Sequence, residues 1–211
     1  SLDLPTYAGS KKDLYVREIK MIADLVRRNR SCRRFYQNHA VALETLKGLV
    51  NLGRLSASAA NLQPLSYILS SNPQQNDQIF PCLNWKGYIK EWSGPKDGER
   101  PSAYIIVLGD TGKTKNFGCD HGIASQSILL GAREMGLSGC MVGSINRNKL
   151  RRILHISLQY KILLVLAIGK PKEQVTIEKI GADGSIQYWV DDQSVHHVPK
   201  RNLNDIIVDG D

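Results

Sequence analysis

Two short stretches of this chain carry side chains equipped to grip a phosphorylated, hydrogen-bonding ring. In Asn29-Arg30-Ser31-Cys32-Arg33-Arg34-Phe35, three guanidiniums surround one hydroxyl. A guanidinium is a permanently charged planar fork that matches phosphate oxygens, and a serine hydroxyl adds a neutral donor. The plainer alternative is a solvated basic turn. In Ser56-Ala57-Ser58-Ala59-Ala60-Asn61-Leu62-Gln63-Pro64-Leu65, small residues lead to Asn61 and Gln63. Each of these amides offers an acceptor and a donor, which suits the edge of a heterocycle with alternating C=O and N–H groups. Amides in loops also cap backbone, and that reading stands beside the first. A third stretch, Leu137–Ile145, holds Gly139 and Gly143 inside an apolar run. Glycine weakens a strand, so the pair suggests either a flat ligand against the backbone or a close packing contact.

The elements that must position these groups can be read from periodicity. Asp120 to about Met135 has small or apolar residues on nearly every face, which predicts a buried central helix closed by Gly136 in the left-handed conformation. That helix would feed the glycine-bearing strand and form a floor for a planar ligand. Helices are also expected over Leu14–Arg28 and Leu43–Leu55, the latter with Leu46, Leu49 and Val50 inward. A short basic helix is expected over Asn146–Leu154, with Asn146 as its N-cap. Strands are expected at Leu65–Ser70, Ser102–Leu108 and Lys161–Gly169. Val175–Lys179 and Gln187–Val190 flank the turn-rich Gly181–Ser185 and predict a hairpin. Between the first two strands, residues 71–101 read as a long polar insertion, in which Leu83, Trp85, Tyr88, Ile89 and Trp92 could line a short helix. Connections of that length are commonly functional, often lids.

With 211 residues the chain suits one domain, 1–211. Its 42% hydrophobic and 23% charged composition is that of a globular protein, and no apolar run approaches the roughly 20 residues of a membrane span. The net charge of +8 attracts polyanions, so nucleic acid has to be considered. Yet outside Arg27–Arg34 the basic residues are dispersed, and no recognition helix, aromatic RNA platform or zinc finger accompanies them. The four cysteines lack any Cys-x-x-Cys spacing, which disfavours both a metal knuckle and a disulfide framework. Reduced, mostly buried thiols and a cytoplasmic location are the expectation, although the chain does not begin with Met and a leader could precede it. His196-His197 has no ligand partner at metal spacing and reads as a surface pair.

Taken in order, these stretches resemble the nitroreductase family of flavoproteins over nearly the whole chain. The family's Arg-Arg-Ser-x-Arg-x-Phe stands here as Asn29 to Phe35, and its Ala-Pro-Ser-x-x-Asn-x-Gln-Pro-Trp as Ser56 to Leu65. The central helix, the Gly-Leu-x-x-x-x-x-Gly strand, Ile168-Gly169-Lys170-Pro171 and Pro199-Lys200-Arg201 fit as well. Asn29, Ala57 and Leu65 depart from the pattern, weakening one phosphate contact and reshaping the pocket wall. The resemblance implies an α+β fold, with a mostly antiparallel sheet flanked by helices around a buried central helix, and a homodimer with FMN between subunits. Arg30, Ser31 and Arg201 would hold the phosphate, with Asn29 and Lys200 near, and Arg33 would stabilise the pyrimidine edge. Ser58, Asn61 and Gln63 would meet the ring's polar edge. Met141, Val142 and Gly143 would pass against its other face, a backbone N–H near N5. The insertion at Cys82–Pro101 would serve as a lid. The implied activity is ping-pong hydride transfer from NADH or NADPH through FMN to a nitroaromatic, quinone or similar acceptor. No side chain stands out as a catalytic acid, base or nucleophile, because the cofactor carries the chemistry. The rivals are flavin fragmentation or reductive dehalogenation on the same fold, or a basic binding module without catalysis.

Overall fold

The computed structural model describes residues 21–85, 88, 92–208 and 210. Residues 21–28 (α1) are helical, while the expected helical residues 14–20 lie outside the described residues. The remaining helices are α2 (Leu43–Leu55), α3 (Pro73–Ile79), α4 (Asp120–Glu134) and α5 (Arg147–Ile153). The strands are β1 (Leu65–Ser70), β2 (Ala103–Asp110), β3 (Ser138–Val142), β4 (Tyr160–Gly169), β5 (Gln174–Lys179), β6 (Trp189–Val190) and β7 (Val195–Lys200). The first four strands form an antiparallel sheet in the order β1-β2-β4-β3.

Both faces of this sheet are covered, which is why β2 and β4 are apolar without alternation. Along β2 the side chains divide with the period of two that a pleat imposes. Ala103, Ile105 and Val107 join α2 and α4 on one face, and Tyr104, Ile106 and Leu108 join Ile79, Trp85 and Leu150 on the other. Helices α2 and α4 approach closely because glycines stand at the crossing. A Cβ on Gly131 would lie 2.2 Å from Leu52 Cδ1, and one on Gly53 3.0 Å from Ile128 Cδ1. Gly136 closes α4 at φ +74°, and the Leu137 N–H donates to the Ala132 carbonyl, the six-to-one bond of a Schellman ending. Among the described residues α4 is covered on one side: Ala124, Ser125, Ile128 and Leu129 are buried, but Ile123 is 43% exposed. The helix expected to be buried all round is therefore partly exposed, at Ile123, Gln126 and Glu134.

Three further expectations are corrected. The polar insertion begins as folded structure, because Asn72 caps α3 and Pro73 occupies its first turn. Leu83 is extended rather than helical, paired with Ile145. Trp85 is 5% exposed and lies against Phe80 and Gly94. A lid could thus comprise only residues beyond Trp85, and 86, 87 and 89–91 lie outside the described residues. The expected β5–β6 hairpin does not form. Strand β5 pairs with β7 in parallel, and β6 with β7 antiparallel, in a second sheet ordered β5-β7-β6. Asp191 Oδ1 accepts the Gln193 and Val195 N–H groups, and Ser194 takes φ +64°, so the tight turn falls after β6 instead. Finally, His196 and His197 are no surface pair. They sit on a strand, so one points inward and the other across the opposite face.

Candidate functional site

The sequence-predicted residues divide between the two edges of the main sheet. At the β3 edge, Ser31 pairs with Gly139, and the Cys32 N–H donates to the Gly139 carbonyl at 3.0 Å. The Asn29 N–H closes the preceding helix on Leu25, and Asn29 itself is buried. Arg30 donates from one Nη to the Val26 carbonyl at 2.8 Å, whereas its Nε is buried without a partner among the described residues. Burial lowers the Arg30 pKa, but a guanidinium stays charged. Gly139 proves to be a packing glycine: a Cβ there would stand 2.6 Å from both the Ala167 carbonyl and Leu129 Cδ2. Gly143 is different. It is exposed, with nothing nearer than 3.8 Å to a built Cβ, and its carbonyl accepts from Arg147. Val142 is buried beneath it and Met141 packs toward α4.

The loop from Arg33 is held by the second sheet. Glu173 Oε1 accepts the backbone N–H of Arg33, and that of Arg34 at 3.4 Å. The Arg33 guanidinium lies 5.4 Å from the centre of the Tyr188 ring, and that of Arg34 lies 5.7 Å from the Trp92 ring. His196 approaches Glu173 at 4.0 Å without forming an ion pair. Burial, then the charges of Arg33 and Arg34, push its pKa down to about 4, so the ring is neutral. His197 behaves oppositely: hydrogen bonding to Asp191, with Glu178 on the other ring nitrogen, raises its pKa, and Trp189 stacks on it at 4.0 Å. Burial pushes the Cys32 thiol up, and Glu173 reinforces the shift, which leaves it an inert packing group.

At the opposite, β1 edge lies the amide cluster. Ala60, Asn61 and Gln63 have φ of +48°, +52° and +47°. Left-handed backbone costs roughly 1 kcal/mol at a residue with a Cβ, so three in four positions mark a loop held under strain. Buried Asp120 imposes it from the first turn of α4. One carboxylate oxygen accepts the Ser58 hydroxyl at 2.6 Å and the other the Ala59 N–H, while Ser58 Oγ accepts the Gln63 N–H. Ser58 is thereby engaged structurally, and Asn61 and Gln63 are left exposed, their amides bonded to each other at 3.1 Å. The loop borders a cleft of about 250 Å³ that Tyr67 and Lys113 also line. Burial, with Asp120 behind it, pushes the Tyr67 pKa up to about 12. Asp120 and Lys113 were missed from the sequence. Asp120 opens the central helix, where a carboxylate meets the first-turn N–H groups, and that signal was legible.

These edges are three strands apart, about 14 Å at the usual spacing. Lys200 and Arg201 are separate again. Both are exposed, Arg201 donating to the Asp205 carbonyl. The parallel register Gln174↔Val195 to Lys179↔Lys200 carries Lys200 five residues, roughly 16 Å, from the end of the sheet near Arg30, and Arg201 follows it. Within one chain, Ser31 and Gly143 share an edge, while Asn61 and Arg201 do not approach them. The described residues contain no cluster able to hold a metal ion and no helix long and apolar enough to cross a membrane.

An antiparallel sheet around α4, with a basic loop on one edge and a strained amide loop on the other, defines an α+β protein of nitroreductase-like architecture. The sequence model of the Nitroreductase family matches residues 26–170, and the chain belongs to that family. It is 24% identical over 182 residues to the Bacillus subtilis (strain 168) protein named "Putative NAD(P)H nitroreductase MhqN", covering 71% of this chain and 88% of that one. Among solved structures, the FMN-dependent nitroreductase of Clostridium difficile R20291 superposes with a TM-score of 0.59 at 20% identity, over 72% of this chain and 88% of that one. The nitroreductase family protein of Streptococcus pneumoniae TIGR4 gives 0.62 at 14% identity, over 79% and 98%. At these identities the structures establish the fold. The β5-β7-β6 sheet lies beyond the family match.

Proposed function

We propose that this chain is an FMN-dependent oxidoreductase that passes a hydride from NADH or NADPH to a nitroaromatic, quinone or similar electron-poor acceptor in a ping-pong cycle. Family membership supports the oxidoreductase class. The observation that carries the cofactor is the β3 edge. There a desolvated, half-partnered guanidinium at Arg30 stands beside Ser31, four residues along the strand from the open backbone at Gly143. Four residues of strand extend about 13 Å, room for a ligand with a phosphate at one end and a ring at the other. FMN, when bound, supplies the acceptance and release of the hydride.

The chain's own residues then have binding and orienting duties. Arg30 and Ser31 would hold the phosphate. Met141, Val142 and Gly143 would present backbone to the ring, Gly143 leaving no side chain in the way. Arg33, its guanidinium braced on Tyr188, would set positive charge where negative charge develops. Asn61 and Gln63 stand too far across the sheet to meet the same ring, so they would serve a site shared with a second copy of the chain. Lys200 and Arg201 would reach a phosphate at Arg30 only across a subunit boundary. The exposed Ile123 on α4 agrees with a homodimer.

The test is an absorbance spectrum of the purified protein, followed by anaerobic stopped-flow reduction with each nicotinamide. Flavin bands that bleach with NADH or NADPH, and return on adding menadione or nitrofurazone, are expected. A colourless protein that takes up no added FMN overturns the proposal.

A further inference from the structure

We infer that Arg147, the first residue of α5, is a positioning residue: it fixes the peptide between Gly143 and Ser144, the backbone against which the flavin ring would lie. The inference rests on the FMN reading above and adds to it a side chain outside the motifs that suggested the cofactor.

The main sheet parts at this point. Strand β3 leaves β4 after the pair Val142↔Val165, so on that side Ile162 to Leu164 have no strand beside them among the described residues. Arg147 takes the place of a strand there. Its Nε donates to the Ile162 carbonyl at 3.0 Å, and one Nη donates to the Gly143 carbonyl at 3.2 Å and the Leu163 carbonyl at 3.4 Å. Successive carbonyls of a regular strand point to opposite sides. Those of Ile162 and Leu163 both face one guanidinium because β4 is bulged: Val107 pairs with Leu164 and Leu108 with Ile162, leaving Leu163 as the extra residue.

The segment is held from its other side as well. The Ser144 carbonyl accepts the Asn84 N–H at 2.9 Å, Ile145 pairs with Leu83, and the Asn146 N–H donates to the Cys82 carbonyl at 2.8 Å. These bonds start one residue beyond Gly143, whose own carbonyl goes to Arg147. A trans peptide is planar with its C=O and N–H opposed, so a Gly143 carbonyl turned to the β4 edge aims the Ser144 N–H away from it. Glycine restrains its backbone least, so the clamp sets the direction of that N–H.

Helix chemistry does not account for the arginine. The first turn of a helix favours carboxylates, yet α5 opens on a cation with no acid beside it. Arg151, in the last turn of the same helix, stands where a cation is favourable. It too donates to three carbonyls, of Ile156, Ser157 and Tyr160 at 3.0, 2.6 and 2.7 Å, but these lie where α5 connects into β4 rather than at Gly143. Arg151 is therefore a matched control.

The experiment compares wild type, Arg147→Ala and Arg151→Ala by urea midpoint, by FMN dissociation constant from flavin fluorescence, and by visible absorption of the FMN-saturated protein. Each variant loses a three-carbonyl clamp, and the midpoints measure that shared structural effect. Loss of one backbone bond to the ring predicts that Arg147→Ala alone weakens FMN, by about 2- to 10-fold, and alone shifts the flavin's visible bands. Should Arg147→Ala not fold, Arg147→Lys serves. An ammonium lacks the planar fork that reaches all three carbonyls, so the same two changes are expected, but smaller. Unchanged affinity and bands in the Arg147 variant, or equal changes in both variants, overturn the inference and leave a clamp on the fold alone. A wild type that takes up no FMN overturns the FMN reading as well, so the two failures are distinguishable.

Discussion

If each flavin site draws on both edges of the sheet, but from different copies of the chain, then two damaged chains should repair each other. The perturbation is a pair of single variants, Arg30→Ala and Asn61→Ala. The structure sets their separation, because β1 and β3 are the outer strands of the β1-β2-β4-β3 sheet, about 14 Å apart. Neither substitution touches the other's surroundings. Arg30 bonds Val26 in the chain leading into β3, and Asn61 bonds Gln63 in the loop before β1. Arg30 would lose a bond to a charged phosphate, about 1.5–3 kcal/mol or roughly 10- to 100-fold in FMN affinity, and Asn61 a neutral bond, about 0.5–1.5 kcal/mol or roughly 2- to 10-fold. In a two-fold dimer mixing both variants, one site collects both substitutions and the other collects neither. Random exchange of equal amounts makes half the dimers mixed, so about one quarter of all sites regain wild-type affinity. The assay is FMN titration after subunits are unfolded together and refolded, compared with the unmixed variants. Recovery near a quarter supports the shared site. No recovery, with dimers formed, refutes it and confines the flavin to a single chain.

Other consequences stem from particular contacts. Gly139→Ala drives a methyl to 2.6 Å from the Ala167 carbonyl, a backbone atom that cannot swing aside, and should cost about 1–3 kcal/mol in urea unfolding. Gly143→Ala, with 3.8 Å of clearance, should leave stability unchanged while lowering flavin occupancy; a stability loss there would remove the open-backbone argument. Trp85→Ala should destabilise by about 3–5 kcal/mol, since the indole is a core side chain; a neutral result would return that segment to a mobile lid. The adjacent histidines should give opposite pH slopes. His196 is depressed to about 4 in the folded protein, so the unfolded state takes its proton first, and stability falls as pH drops from 6.5 toward 4. That interval is worth at most about 3 kcal/mol, less what solvent screens. His197 is raised, so its contribution is present below 6.5 and is lost as pH climbs through its folded value. Urea midpoints against pH for His196→Gln and His197→Gln should each lose one slope; retention of both would refute the assignment.

How much of this was legible in the sequence depended on whether a residue's partner was local. Leu43–Leu55 and Leu65–Ser70 form with the expected bounds because helical period and a short apolar run are set by neighbours a few positions away. Asn146 caps α5 by accepting the Lys149 N–H, again a bond within one turn. The hairpin failed for the opposite reason. The run of turn residues at Gly181–Ser185 is real, but β5 finds its partner in β7, a parallel pairing that local turn chemistry cannot announce. His196 read as surface because nothing nearby in sequence hides it; Glu173 and Tyr188 do so from other segments. Of the candidate site, the arginines and amides were identifiable by type. Their division between two edges was not, since it depends on strand order.

The family match ends at residue 170, yet the loop that identifies the family is positioned by residues C-terminal to that point. Backbone N–H groups of Arg33 and Arg34 have their acceptor in Glu173, and the Arg33 guanidinium rests on Tyr188. Glu173 is in turn screened by His196, which is neutral because burial and the same arginines keep a proton from it. The three groups thus hold one another: the carboxylate orders the loop, the loop's charge keeps the imidazole neutral, and a neutral imidazole leaves the carboxylate free to accept the loop's N–H groups. On the far side of β7, His197 joins Glu178 of β5 to Asp191 beyond β6, tying the small sheet together behind that contact. A common fold supplies the strand and the helix of the site in this chain. The C-terminal segment holds its arginine loop and supplies one wall of the cleft that Arg30 lines.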